Sequence, residues 1–279
     1  MRYPTGAVRF DRLLHGGLPA GLVELSGLDG SGKTALALSV AREAGLAGLP
    51  CALIHMQGGA PDTDFIRTAG HNMAVVTPPF GEAGVEAAYA CLSRGFRVVV
   101  IDSFTNLRPR CEDDLLVGDR AAGATRLAYH AATILRDRAL LTDSLLLCTS
   151  ELRANLQGFG TISAYESVWR HCSNMRVRLA RDEVRGEYGT VQSVTVRMTV
   201  MSSELSGIGV VGQAHLRQAQ GLDRNLELLL ALMEAGRLQQ VGGYWKGFSR
   251  MFGPGYERAA LQVGQRYGWY REELDGDTG

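Results

Sequence analysis

Eight consecutive residues, Gly27-Leu28-Asp29-Gly30-Ser31-Gly32-Lys33-Thr34, have the spacing G-x-x-x-x-G-K-T of a phosphate-binding loop. Gly27, Gly30 and Gly32 let the backbone bend round an anion so that successive N–H groups point inward. Lys33 stands where a lysine bridges the β- and γ-phosphates, and Thr34 where a hydroxyl holds Mg²⁺. A tight strand-to-helix turn would ask for the glycines but not for Lys-Thr behind the last of them. The stretch therefore predicts a nucleoside triphosphate ligand. A second acidic candidate, Asp102, ends the run Val98-Val99-Val100-Ile101-Asp102. Four branched apolar residues running into an acid have the form of a central parallel strand that delivers a carboxylate to its C-terminal edge. In a phosphate-loop protein that acid supports the Mg²⁺ shell; the plainer use is a cap on the following turn, and the loop upstream favours the metal.

These residues need a scaffold, and the chain spells one out. Leu22-Val23-Glu24-Leu25 reads as a buried strand into the loop, and Ala35–Ala41 as the helix behind it, whose positive dipole end reaches the anion. Further strands are expected at Cys51–His55, Met73–Val76, Val98–Asp102 and Ser144–Ser150, and helices from Pro61 to Thr68, Glu82 to Ser93 and Asp119 to Leu141. That alternation predicts an α/β fold with a mostly parallel twisted sheet and helices on both faces. Met175–Leu179 and Val191–Val200 alternate apolar and polar residues, which predicts an antiparallel hairpin at one edge. A core over 1–222 and a small C-terminal helical and aromatic lobe over 223–279 are the expected division. The lobe has an apolar helix from Asp223 to Ala235, then Tyr244, Trp245, Phe248, Phe252 and Tyr256 among glycines. These aromatics read better as a small core than as a base-stacking platform.

Composition excludes some partners. The 279 residues carry 29 basic and 29 acidic side chains, a formal net charge of zero, so no global basic field advertises nucleic acid and any contact must be a local patch. Arg176, Arg178 and Arg181 alternate with apolar residues, a pattern that a solvated strand face also explains. The five cysteines are scattered, with no C-x-x-C pair, which suits a reducing cytoplasm. No signal peptide and no membrane span are expected, and His55 and His171 stand too isolated to suggest a metal site.

Several motifs in one order carry a resemblance. Thr5-Gly6, Gly16-Gly17-Leu18-Pro19-x-Gly21, the phosphate loop, Val98–Ser103, Gly118-Asp119 and Leu232–Gly236 through Gly243-Tyr244-Trp245-Lys246-Gly247 are colinear with bacterial RecA recombinases, from roughly Tyr3 to Gln262. The chain thus resembles a divergent, truncated RecA with a RecA-type core. The resemblance implies ATP and Mg²⁺ as cofactors, head-to-tail assembly with itself or another RecA-type protein, and single-stranded DNA as partner. It assigns Gly27, Leu28, Asp29, Gly30, Ser31, Gly32, Lys33 and Thr34 to nucleotide, Thr34 and Asp102 to metal, and Phe65 to adenine stacking. Leu156, Gln157 and Gly158, in the loop between Ala154 and Ala164, take the place of the second DNA loop. Arg170 and Arg176 fall near basic positions of the DNA- and neighbour-facing surface.

The departures are specific. Gln57 stands where the family has the glutamate that orients the attacking water, and an amide holds water but does not take its proton. Glu151 replaces the amide that senses the γ-phosphate. Arg197 and Thr199 replace two lysines that reach the neighbour's phosphate, and the second DNA loop has no Lys or Arg between Ala154 and Ala164. The family's N-terminal helix and strand have no counterpart before Thr5, and its C-terminal lobe is shortened. Two readings follow: an ATP-dependent single-strand binder with weak hydrolysis, or a catalytically impaired paralogue acting through protein contacts. A phosphate-loop kinase would need an acceptor site, and no clear one is evident.

Overall fold

The computed structural model describes residues 1–70, 73–110, 117–154, 159–185, 191–204, 208–217, 220–241, 244–247 and 250–252. In chain order the elements are β1 (Arg2–Tyr3), α1 (Val8–Leu13), β2 (Leu18–Pro19), β3 (Gly21–Gly27), α2 (Lys33–Leu46), β4 (Cys51–His55), α3 (Thr63–Gly70) and β5 (Ala74–Val76). Then come α4 (Gly81–Ser93), β6 (Val98–Asp102), α5 (Val117–Leu141), β7 (Leu145–Ala154), β8 (Thr161–Ser163), α6 (Glu166–Cys172), β9 (Met175–Arg185) and β10 (Val191–Ser203). The chain continues through β11 (Val211–Arg217), β12 (Gly221–Leu222), α7 (Arg224–Glu234), β13 (Leu238–Val241), β14 (Tyr244–Gly247) and β15 (Arg250–Phe252).

The main sheet runs β12-β11-β10-β9-β3-β7-β6-β4-β5. From β9 to β5 every neighbouring pair is parallel. From β9 to β12 every pair is antiparallel. This is the expected mixed sheet, with β11 and β12 extending the antiparallel edge beyond a simple hairpin. Strands β3 and β6 are buried along their whole length, because each is covered on both faces. One core, holding Val23, Leu25, Leu36, Leu53, Val100 and Leu147, lies under α2. The other, holding Leu22, Ile101, Leu135, Leu146 and Trp169, lies under α4, α5 and α6. Period-two alternation along each strand sends successive side chains to these two cores.

Local chemistry sets the boundaries. Helix α2 begins after Gly32, whose φ of +91° is left-handed and open to glycine without strain. The Asp223 side chain accepts from Leu226 N and caps α7, so the helix starts one residue later than the apolar pattern predicts. α7 then packs on α1 and β11. In the aromatic tail, Tyr244 and Trp245 lie on β14 and Phe252 on β15, in a three-stranded antiparallel sheet with Trp245 opposite Phe252. Phe248 and Tyr256 lie outside the described residues. Among the described residues no helix is long and apolar enough to cross a membrane.

Trp169 anchors the second core: it is fully buried, its ring lies 4.7 Å from that of Phe104, and its Nε1 donates to Ala164 O at 2.7 Å. Trp169→Ala is expected to lower the unfolding free energy by about 3–5 kcal/mol, read from the shift of the urea midpoint at unchanged m-value.

Candidate functional site

The C-terminal ends of β3, β7, β6 and β4 meet at one edge of the sheet, where Gly27 lies opposite Glu151 and His55 opposite Asp102. Open α/β sheets place ligands at this edge. The phosphate loop leaves β3 here and enters α2. Gly27 and Gly32 are required by space: a Cβ on Gly27 would lie 2.2 Å from Ser31 Oγ, and one on Gly32 2.5 Å from a Leu216 methyl. Lys33 Nζ donates to Gly27 O and Leu28 O, both at 3.0 Å, folding the lysine back over its own loop. Burial lowers the Lys33 pKa, and the negative charges of Asp29, Glu151 and Asp102 work against that shift.

Asp102 is the hub. The Thr34 hydroxyl donates to its Oδ2 at 2.8 Å, while Gln57 Nε2 and the Thr149 hydroxyl donate to its Oδ1 at 3.1 and 2.6 Å. The carboxylate is 2 % exposed and stands at the end of β6, on the α2 face of the sheet. Thr34 and Asp102, in contact, form an oxygen donor pair of the kind Mg²⁺ takes. Ser31 Oγ is buried without a hydrogen bond among the described residues, a polar atom oriented by the fold and left for a ligand or water. The loop glycines, this orphaned hydroxyl and the donor pair fit a magnesium nucleotide. Thr34 and Asp102 would hold the metal, which supplies charge neutralisation on the phosphates; Lys33 and the loop N–H groups would hold the phosphates themselves.

Gln57 is thus brought to the Asp102 carboxylate, and Glu151 close enough to act electrostatically on Lys33. Phe65 lies on α3 and packs, half-buried, on the core shared with α2. Arg197 is half-exposed on β10 and pairs with Asp182 at 3.0 Å. Arg170 is exposed on α6 and pairs with Glu166 at 3.3 Å. Leu156, Gln157 and Gly158 lie outside the described residues; Phe159, at the end of that stretch, is fully exposed and Ile162 partly so.

The one placement that the geometry overturns is Arg176. It is 7 % exposed, not on a DNA-facing surface. Its Nε donates to Glu24 Oε2 at 2.5 Å, and its two Nη atoms reach both oxygens of Glu166 at 2.9 and 2.8 Å. The guanidinium is spent on two carboxylates inside the protein. Burial opposes its charge, but the hydrogen bonds to Glu166 and the charge of Glu24 outweigh it and raise its pKa further. Burial pushes the Glu24 carboxyl up, against Arg176 and the Ser150 hydroxyl. The hydrogen bonds from Arg176 hold Glu166 at about 2. This network ties β3, which feeds the phosphate loop, to β8 and α6, which follow the 155–158 stretch. Two members of the site went unread in the sequence. Thr149 gave no signal beyond a polar residue in an apolar strand, whereas Glu24, an acid inside a buried run, was a visible anomaly.

Comparison with known proteins agrees with this geometry. The family model for the RecA N-terminal domain matches residues 2–160. The chain belongs to the RecA family. Proteins named Protein RecA from Mesorhizobium japonicum and Anaplasma marginale are 27 % and 26 % identical to it, over 92 % and 91 % of this chain and 73 % and 74 % of theirs. The Protein RecA of Solidesulfovibrio magneticus is 26 % identical over 98 % of this chain and 79 % of its own length. The family match ends at residue 160, just past the 155–158 stretch, so the antiparallel edge of this RecA-family chain lies beyond it.

The network makes two expectations. Arg176→Met is expected to cost about 3–5 kcal/mol, because it leaves the Glu24 charge buried without its partner. Glu166 has a folded pKa below its unfolded one, so its contribution is complete above about 4.5 and is lost as pH falls towards about 2. The difference in unfolding free energy between wild type and Glu166→Gln should therefore shrink across that window in urea titrations at stepped pH.

Proposed function

We propose that this RecA-family protein binds ATP with Mg²⁺ at the loop 27–34 and binds single-stranded DNA in an ATP-dependent way in recombination or repair, with weak hydrolysis. The observation that carries the reading is the contact between the Thr34 hydroxyl and Asp102, which sets the magnesium donors beside the phosphate loop. Family membership supports a recombination or repair ATPase and self-assembly of the head-to-tail kind. Single-stranded DNA would meet the stretch holding Leu156, Gln157 and Gly158, with Leu156 and the exposed Phe159 and Ile162 offering apolar contact and Arg170 a charge.

Weak hydrolysis follows from Gln57. Its amide nitrogen donates to Asp102, and the remaining N–H and the carbonyl oxygen can hydrogen-bond a water but not take its proton. Glu151 adds an anion beside the lysine that would face the γ-phosphate. Arg197 would act on a neighbour's nucleotide only by leaving Asp182. The same observations favour a second reading, an impaired paralogue in which nucleotide is structural and the protein regulates another RecA-type partner. The burial of Arg176 leaves fewer cations for DNA and supports that alternative.

Fluorescence anisotropy of a labelled single strand, with and without ATP–Mg²⁺ across a salt series, separates the two. The first reading expects binding that requires ATP and weakens steeply with salt. No binding by protein that retains ATP leaves the regulatory reading. Gln57→Glu is expected to raise ATP turnover by about 10²-fold or more; no gain, with nucleotide still bound, overturns the role given to Gln57.

A further inference from the structure

The phosphate loop is touched by a cation that its motif does not contain. Arg181, on β9, donates from Nη1 to Gly30 O at 3.1 Å. The strand explains how it gets there. Val177 and Leu179 point into the core beneath α2, and Leu179 lies opposite Gly27, the first residue of the loop. Arg181 shares their parity, opposite Val196 of the same core, so it emerges on the phosphate-loop face just past the end of β3. Arg176 has the other parity and faces Glu24. Arg197, opposite Ala180, also has the other parity and pairs with Asp182 there. Along β9, Arg176 and Arg178 share one parity and Arg181 the other, so these three arginines do not form one patch, and Arg181 is the one that the pleat delivers to the loop.

The Ser31 N–H of the same peptide unit already donates to Leu28 O at 3.1 Å, so the contact adds no further N–H donor. It holds the guanidinium, and with it a positive charge, beside the loop. The charge balance is what this changes. Asp29, Asp102 and Glu151 all act on Lys33, three carboxylates around one ammonium, which is a poor setting for a triphosphate. Arg181 is a second positive charge supplied by the same chain.

We propose that Arg181 is a cation of the phosphate site, held in cis by the Gly30 carbonyl and offsetting the surplus of acids beside a bound nucleoside triphosphate. The inference rests on the nucleotide reading above. It gives this chain a reason to retain nucleotide although Glu151 stands near Lys33.

The test is titration of a fluorescent ATP analogue with Mg²⁺ into wild type, Arg181→Ala and Arg181→Lys over a salt series, with thermal melting of the nucleotide-free proteins. Arg181→Ala is expected to weaken binding about tenfold, the scale of one charge-assisted hydrogen bond, and to flatten the salt dependence. Arg181→Lys should keep the salt dependence and lose only about threefold or less, because it retains the charge without the fork. Melting points should coincide, since Arg181 is exposed. Affinity unchanged within about twofold in Arg181→Ala overturns the inference, as does an equal loss in both variants at unchanged salt dependence, or a lowered melting point that accounts for the loss. Wild type that binds no nucleotide overturns the nucleotide reading and this inference together, whereas wild type that binds no better than Arg181→Ala overturns this inference alone.

Discussion

The carboxylate of Asp102 is the point on which the site depends. It accepts from Thr34 at the start of α2, from Thr149 on β7 and from Gln57 beyond β4. Three segments far apart in sequence are thereby locked in register at the C-terminal edge of one parallel sheet. An acid so placed is satisfied in the protein and still offers lone pairs towards the phosphate loop. Strand β6, which carries it, is buried along its whole length between β7 and β4, so it has no solvent face on which to slide. The departure at Gln57 is therefore local: an amide completes the hydrogen bonding of Asp102 without disturbing the fold around it.

A second constraint lies on the opposite face. Glu24 sits fully buried in β3, and a lone carboxylate there would be costly. Arg176, Ser150 and the bridge to Glu166 satisfy it, at the cost of removing one arginine from the surface. The network joins the strand before the phosphate loop to the helix that follows the 155–158 stretch. The two faces of β3 thus differ: the α2 face is apolar and leads to the phosphate loop, and the α6 face holds an internal ion cluster. Basic composition on β9 is divided between these two uses by nothing more than residue parity.

Much of the fold was legible. Continuous apolar runs of strand length, alternation with helical segments and the glycines at their junctions determine a parallel α/β sheet, because each signal is confined to a few neighbouring residues. The aromatic tail was given no secondary structure because glycines and aromatics at irregular spacing carry no period. Its pairing of Trp245 with Phe252 is visible only once the strands are folded together.

By itself the sequence determined the G-x-x-x-x-G-K-T loop and the acid at the end of β6, since each is a contiguous pattern. The tertiary structure alone decided that Thr149 meets Asp102, that Arg176 turns inward to Glu24 and that Arg181 reaches Gly30. Those outcomes depend on which strand lies beside which and on the face each side chain takes. Register and facing are set by burial across the whole sheet, and local sequence does not contain them.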